Sequence, residues 1–305
     1  YFLEAARLRQ IVKTYSDHVA LPIRLKDGDV DEAVNEASAL WTRPKKDIMP
    51  EQYKEFYHHV AHVFDDPWTV LHNKAEGRLE YTNLLFIPSS KPFDLFHPDR
   101  KHRVKLYVRR VFITENCEEL MPSWLRFVQG IVDSEDLPLN ISREMLQHNP
   151  VLARIRKALV KRVLGELGKK ADKVPEEYAA FWGNFGAVMK EGVYEDAEYR
   201  EQLMELTRFR STAGDDLVSL ADYVGRMKEG QKDIFYISGE SLDGLRTSPQ
   251  IEGLVARGVE VLLLSDPVDE FWTTTAPDYK DTPFKSATRG DIDLSGIEKA
   301  DEADE

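Results

Sequence analysis

The sequence predicts an α/β protein: a larger α/β sandwich unit, a helical connector, and a smaller α/β unit with a strand–helix–strand core. Three observations carry this. Residues 78–88 (RLEYTNLLFIP) and 104–114 (VKLYVRRVFIT) are rich in β-branched and aromatic residues, the composition of a half-buried pleated surface. Helical spacing dominates from residue 142 onward through the middle of the chain. Then KDIFYISG, a helical stretch over 241–257 and VEVLLLSD at 259–266 follow within ~35 residues, a crossover that makes the two strands parallel.

Each element has a reason. FLEAARLRQIVKTYS has helical spacing through Leu3, Leu8, Ile11 and Val12, and its start without a methionine suggests a piece of a larger protein. SDHVALPIRL reads as a strand ended by the turn-forming KDGD at residues 26–29. Residues 51–64 are helical through Tyr53, Phe56, Val60 and Phe64. SSKPFDLFHPDRKH, with its prolines and charges, is a loop between the two extended segments. Ser142 is a helix N-cap, opening a helix that runs through Leu152, Ile155, Leu159, Val163 and Leu167. Residues 176–228 continue as helices punctuated by glycines, and GIEKADEADE is an acidic, solvated tail.

With 305 residues and 42% hydrophobic content the chain can build more than one core. Its net charge of −13 argues against nucleic acid and anionic membrane as partners, because neither polyanion attracts such a surface. No apolar run reaches the ~18 residues of a membrane span. One cysteine, Cys117, excludes an internal disulfide and fits a reducing cytoplasm.

Several patterns invite a site and fall short. His58 and His62 in HHVAH have the four-residue spacing of two zinc ligands, yet position 59 is histidine where a zincin needs glutamate, and no third ligand stands out; no metal is expected. ISGESLDG lacks the glycine spacing that wraps a pyrophosphate. KHRVKLYVRR sets Lys105 and Arg109 on one face of a strand and Val104, Leu106 and Val108 on the other, which suits a phosphate or acidic partner but equally a solvated face. Trp41 in ALWTRP and Phe93 and Phe96 in KPFDLF are large apolar groups in turn or loop segments, either partner-binding anchors or lids on their own core. Arg143 is a cation at the start of a helix, where the macrodipole disfavours it by roughly 0.3–1 kcal/mol. With Asn140 nearby and Gln147 one turn along, it suits a cluster of anionic oxygens such as a terminal phosphate; Asp133, Glu135 and Asp136 could instead pair with it.

VDSEDLPLNISREMLQ, preceded by YVRRVFI, LLFIPSSKPFDLF, ALWTR and YSDHVALPI and followed by DYVGRMKEGQKDIFYISGES and GVEVLLLSDPVDEF, closely resembles the middle segment of the 90-kilodalton heat-shock chaperones, most nearly the bacterial HtpG type. The resemblance covers roughly residues 10–290. It implies an ATP-dependent chaperone in which a separate N-terminal ATPase domain holds ATP and Mg²⁺ and a C-terminal domain forms the homodimer. It divides the chain into 1–18, the end of the connection from that ATPase domain; 19–165, the large α/β unit; 166–230, the helical connector; 231–285, the small α/β unit; and 286–305, a tail or linker. The family's catalytic arginine falls on Arg143, with Asn140 and Gln147 beside it, and reaches the γ-phosphate when the N-terminal domain docks. The fragment alone is then inactive as an ATPase. Exposed apolar residues hold unfolded client proteins, and the matching positions are Trp41, Phe93, Phe96 and Phe112. The implied location is the cytoplasm. Set against this is a protein-interaction scaffold whose arginine is purely structural.

Overall fold

A computed structural model describes residues 4–97, 100, 103–140, 143–289 and 297, without the side chain of Arg143. The chain is mixed α/β and divides into two compact units, 1–163 and 164–305.

The first unit opens with helix α1 (Ala5–Tyr15) and a small hairpin, β1 (Arg24–Asp27) and β2 (Val30–Ala33), turned at Gly28 with φ +63°. The strand expected over SDHVALPIRL is therefore confined to its last two residues. Pro22 removes a ladder donor, and Asn35 replaces the ladder: its Oδ1 accepts from the Ile23 N–H at 2.7 Å and its Nδ2 donates to the Val19 and Leu21 carbonyls. Helix α2 (Pro50–Ala61) follows, with proline at its first position, where a missing N–H costs nothing, and Gln52 Oε1 accepting from the Met49 N–H.

Strands β3 (Pro67–Ala75), β4 (Tyr81–Pro88), β5 (Arg103–Val108), β6 (Val111–Thr114) and β7 (Gln129–Ser134) form one sheet in the order β3-β4-β7-β5-β6. All eight residues of β4 are buried, as expected of an inner strand covered on both faces. β7 lies between β4, antiparallel, and β5, parallel. Gly130 of β7 sits at φ +132°, and a Cβ there would lie 2.2 Å from the Leu84 carbonyl oxygen, so only glycine permits this strand to approach β4.

VKLYVRRVFIT is not one extended segment. It is a hairpin whose two central residues, Arg109 and Arg110, both have positive φ (50° and 66°), the two-residue turn that usually calls for Asn-Gly. The Arg110 N–H donates to Asp133 Oδ1 and the Arg109 N–H to the Ser134 carbonyl, and these bonds hold the strained backbone in place. Val104, Leu106 and Val108 are fully buried on one side of β5, while Lys105 is only partly covered. Arg109 leaves that face because it sits in the turn.

Nor does one helix run from residue 142. A single turn, α3 (Arg143–Leu146), is separated from α4 (Pro150–Lys173) by a break at which His148 takes φ +61°. Asn149 then caps α4, its Oδ1 accepting from the N–H groups of Val151 and Leu152, with Pro150 at the first helical position. The expected cap at Ser142 lies outside the described residues.

α4 ends in the second unit, which continues through α5 (Pro175–Glu195), α6 (Arg200–Leu206), β8 (Phe209–Ser211), β9 (Gly214–Val218), α7 (Leu220–Gly225), β10 (Ile234–Ser238), α8 (Leu242–Arg246), α9 (Glu252–Val255), β11 (Leu262–Leu264), α10 (Asp269–Thr275), β12 (Asp278–Tyr279) and β13 (Thr282–Ser286). Its sheet runs β12-β13-β10-β11-β8-β9, with β10 parallel to β11 and β13. Residues 209–218, expected within a helical stretch, are the strands β8 and β9. Only Phe209 and Ser211 of β8 point inward, a period-2 signal too short to register against the helices before it. The core of this sheet gathers Phe235, Ile237, Leu254, Val261 and Leu263. A buried ion pair sits beside it: Lys190 Nζ lies 2.6 Å from Asp269 Oδ1, which also accepts from Trp272 Nε1 at 2.6 Å. Among the described residues no helix is long and apolar enough to cross a membrane.

Candidate functional site

The stretch that carries the strongest expectation leaves the end of β7. Its first residues are fixed by backbone bonds. The Glu135 N–H donates to the Glu80 carbonyl, the Glu80 N–H donates to Asp136 Oδ2 at 2.7 Å, and Ser134 Oγ accepts from the Asp136 and Leu137 N–H groups. Two leucines anchor the segment at either end: Leu137 is 1% exposed and Leu146 2%. Leu139, Asn140, Glu144, Met145 and Gln147 are exposed. Asn140 and Gln147 are thus both presented on the outside of a stapled loop. The Arg143 side chain lies outside the described part of the molecule, but the backbone of α3 that carries it is placed.

The setting of Arg143 differs in two ways from the one its sequence suggests. α3 is one turn long, so the dipole that would disfavour a cation at its start is small. Asp133, one of the three carboxylates that could have paired with it, is 3% exposed and committed elsewhere, accepting from Trp41 Nε1 through Oδ2 and from the Arg110 N–H through Oδ1. Burial raises the Asp133 carboxyl above its ordinary range, and those two bonds work against the rise. Leu146 also lines a cavity of about 610 Å³ together with Lys13, Tyr15, His18 and Phe112, so the loop is seated beside α1.

Of the four aromatic candidates, two stand in solvent and two do not. Phe93 is wholly exposed and Phe96 half exposed, the latter with the Arg126 guanidinium 5.6 Å from its ring centre. Trp41 is 1% exposed: its indole N–H donates to Asp133 at 2.8 Å, its carbonyl accepts from His72 Nε2 at 2.8 Å, and its ring packs against Tyr107, Phe56 and His18. Of the two roles open to it from the sequence, it fills its own core. Phe112 is half-buried between Tyr15 and Tyr107, with ring centres 5.9 and 5.6 Å away. The sequence missed Phe64, which is fully exposed just beyond α2; as the last residue of an apparent apolar stripe it reads as core, but α2 has already ended at Ala61.

The HHVAH histidines are dispersed in role. His58 Nε2 lies 3.0 Å from the Asp65 carbonyl, and His62 ends α2 in a left-handed conformation. Asp17, His18 and Glu36 do cluster, with ligand-type atoms within 4.8 Å of one another, but the Lys13 ammonium already lies 3.0 Å from Asp17 and 3.7 Å from Glu36. Cys117 is buried and its thiol is pushed up to about 12, so it is not a reactive thiolate.

His72 supplies a pH signature for this unit. Burial lowers its pKa, against the raising effect of its bond to the Trp41 carbonyl. With Nε2–H donating to Trp41 and Nδ1 accepting from the Tyr53 hydroxyl, the neutral ring satisfies both partners. Below its ordinary value, about 6.5, the unfolded chain takes up a proton that the native ring resists, so stability falls as pH falls. A thermal melt between about pH 7 and 5 is expected to show a steeper loss for the natural chain than for His72→Gln; parallel curves would contradict this linkage.

The chain matches a family model described as Hsp90 protein over residues 26–305. It belongs to the Hsp90 family. Among its curated relatives, the Chaperone protein HtpG of Paramagnetospirillum magneticum is 62% identical over 99% of this chain and 50% of the relative. The proteins of the same name from Rhodospirillum rubrum and Rickettsia rickettsii are 59% and 55% identical, over 97% and 99% of this chain and 47% and 49% of each relative. The chain thus spans about half the length of the curated Hsp90 relatives it matches.

Proposed function

We propose that this chain is the middle segment of an HtpG-type, ATP-dependent chaperone of the cytoplasm, and that the stapled loop Leu137–Gln147 brings Arg143 to the γ-phosphate of an ATP held by an N-terminal ATPase domain. The observation that carries this is the loop itself: both ends are anchored by buried leucines while Asn140 and Gln147 face outward. A loop fixed at its roots can present a guanidinium without first paying to order its backbone. Arg143 then neutralises charge that develops on the phosphate, while Asn140 and Gln147 donate amide hydrogen bonds around it. ATP and Mg²⁺ supply the phosphoryl chemistry and belong to the other domain. This chain offers no glycine-rich cradle for them, since ISGESLDG lacks the spacing.

On this reading residues 1–18 end the connection from the ATPase domain, 19–165 form the large unit, 166–230 connect while lending β8 and β9 to the sheet of the small unit, 231–285 form the rest of that unit around β10 and β11, and 286–305 lead to a C-terminal dimerisation domain. Unfolded or partly folded clients dock on the exposed aromatics Phe93 and Phe96, with Phe112 a lesser contact because it is half-buried. The protein as a whole is a homodimer.

A coupled ATPase assay tests the division of labour. The 305-residue chain alone is expected to give no turnover above buffer, and the full-length protein to hydrolyse ATP. Equal turnover by the chain alone would overturn the reading of a split site.

A further inference from the structure

A second cavity in the first unit, of about 740 Å³, lies between the end of α2, the loop after β4 and the start of β7. Its lining includes the apolar residues Val60, Ala61, Pro88 and Pro92 and the polar ones Tyr57, Arg100, Asn116 and Gln129. These four polar side chains hold six buried polar atoms without a hydrogen-bond partner among the described residues: the Tyr57 hydroxyl, Arg100 Nε and Nη2, Asn116 Oδ1, and both amide atoms of Gln129. Buried polar groups are nearly always paired, so six orphans on four residues that line one cavity need an explanation. A ligand with polar atoms of its own would give one.

The chemistry of that ligand follows from what is free. Arg100, with a 1% exposed side chain, spends Nη1 on Asp94 and keeps Nε and Nη2, the edge of a guanidinium that receives a carboxylate through two parallel bonds. Asp94 is shared with Arg103 Nη2 at 2.9 Å, so the carboxylate nearest these two arginines is already spoken for. Lys91 and Lys105 add positive charge to the lining, against Asp65 and Glu115. This is a local cationic excess in a chain whose net charge is −13. A single free guanidinium edge balances one negative charge on a planar head, which favours a carboxylate over a doubly charged phosphate. The apolar part of the lining suits an apolar body, and the volume suits a small organic molecule.

We infer that this cavity binds an amphipathic organic carboxylate, its head against Arg100 and Gln129 and its apolar body along Val60, Ala61, Pro88 and Pro92. No described residue of the ATP loop lines the cavity, whereas Phe93, one of the exposed phenylalanines, does.

Titration calorimetry of the 305-residue chain with 2-naphthoate, and with 2-naphthol as the uncharged match, tests it. Naphthoate is expected to bind at least about tenfold more tightly than naphthol, the discrimination a charge-assisted pair supplies. Gln129→Glu keeps the shape and sets a like charge beside the head. Arg100→Lys keeps the charge on Asp94 and removes the fork. Either variant, if its melt matches that of the natural chain, is expected to lose naphthoate about tenfold or more while naphthol is unchanged. The Gln129 side-chain amide signal of the natural chain is expected to shift on adding naphthoate, a reading that needs no variant. Equal affinity for acid and alcohol, unchanged naphthoate binding by a folded variant, or a Gln129 amide that stays put at saturation would each overturn the proposal.

Discussion

Replacing Arg143 by alanine in the full-length protein is expected to lower ATP turnover about 10- to 100-fold. A hydrogen bond to a charged group contributes ~1.5–3 kcal/mol, and each 1.4 kcal/mol off the transition state is a factor of about ten. The loss belongs in kcat more than in KM, because a contact formed with the γ-phosphate when the domains close acts chiefly on the transition state. Arg143→Lys is expected to fall between, since an ammonium keeps the charge but cannot form the fork. The melting temperature of the first unit is expected to hold in both variants, because the loop's anchors are Leu137 and Leu146 rather than its middle. Turnover unchanged in Arg143→Ala would leave the arginine with a structural role only.

The second large effect separates two aromatic residues that look alike in the sequence. Trp41→Ala removes a side chain that is 1% exposed and packed against three rings, at a cost of about 3–5 kcal/mol from the cavity alone. It also strips Asp133 of its indole donor, which adds roughly 1–3 kcal/mol for a buried acceptor left unpaired. Phe93→Ala removes a fully exposed ring and is expected to leave the melt within about 0.5 kcal/mol of its starting stability. Binding of a labelled unfolded client should weaken in Phe93→Ala at constant stability. In Trp41→Ala any weakening should track the fraction unfolded. A stable Trp41→Ala with weakened client binding would return that residue to the surface role that its loop position first suggested.

Trp41 also shows where sequence reading stops. Its neighbours in the chain place it in a turn, and nothing in that turn announces a hydrogen bond to a carboxylate 92 positions later. The mixed α/β class was legible because Tyr81–Pro88 has the apolar and aromatic composition of a buried strand and Pro50–Ala61 has helical spacing. The Arg109–Arg110 turn was not, since two arginines at positive φ are held there by Asp133 and Ser134 and not by their own preference. The break before Asn149 could have been read: asparagine followed by proline is a cap and a first helical position, and the apolar spacing across it hid the signal. β8 and β9 are too short for any periodicity to show. Of the arginine loop, sequence supplied the residues and their family, while the stapling of Ser134, Asp136 and Glu80 that fixes it came from tertiary structure.

The most direct test is a structure of the full-length protein with a non-hydrolysable ATP analogue. The account predicts the Arg143 guanidinium within hydrogen-bond distance of the γ-phosphate oxygens, about 2.7–3.2 Å, with Asn140 and Gln147 turned toward the same group. A closed, nucleotide-bound structure in which Arg143 instead pairs with Glu135, Asp136 or another carboxylate of its own unit would contradict it.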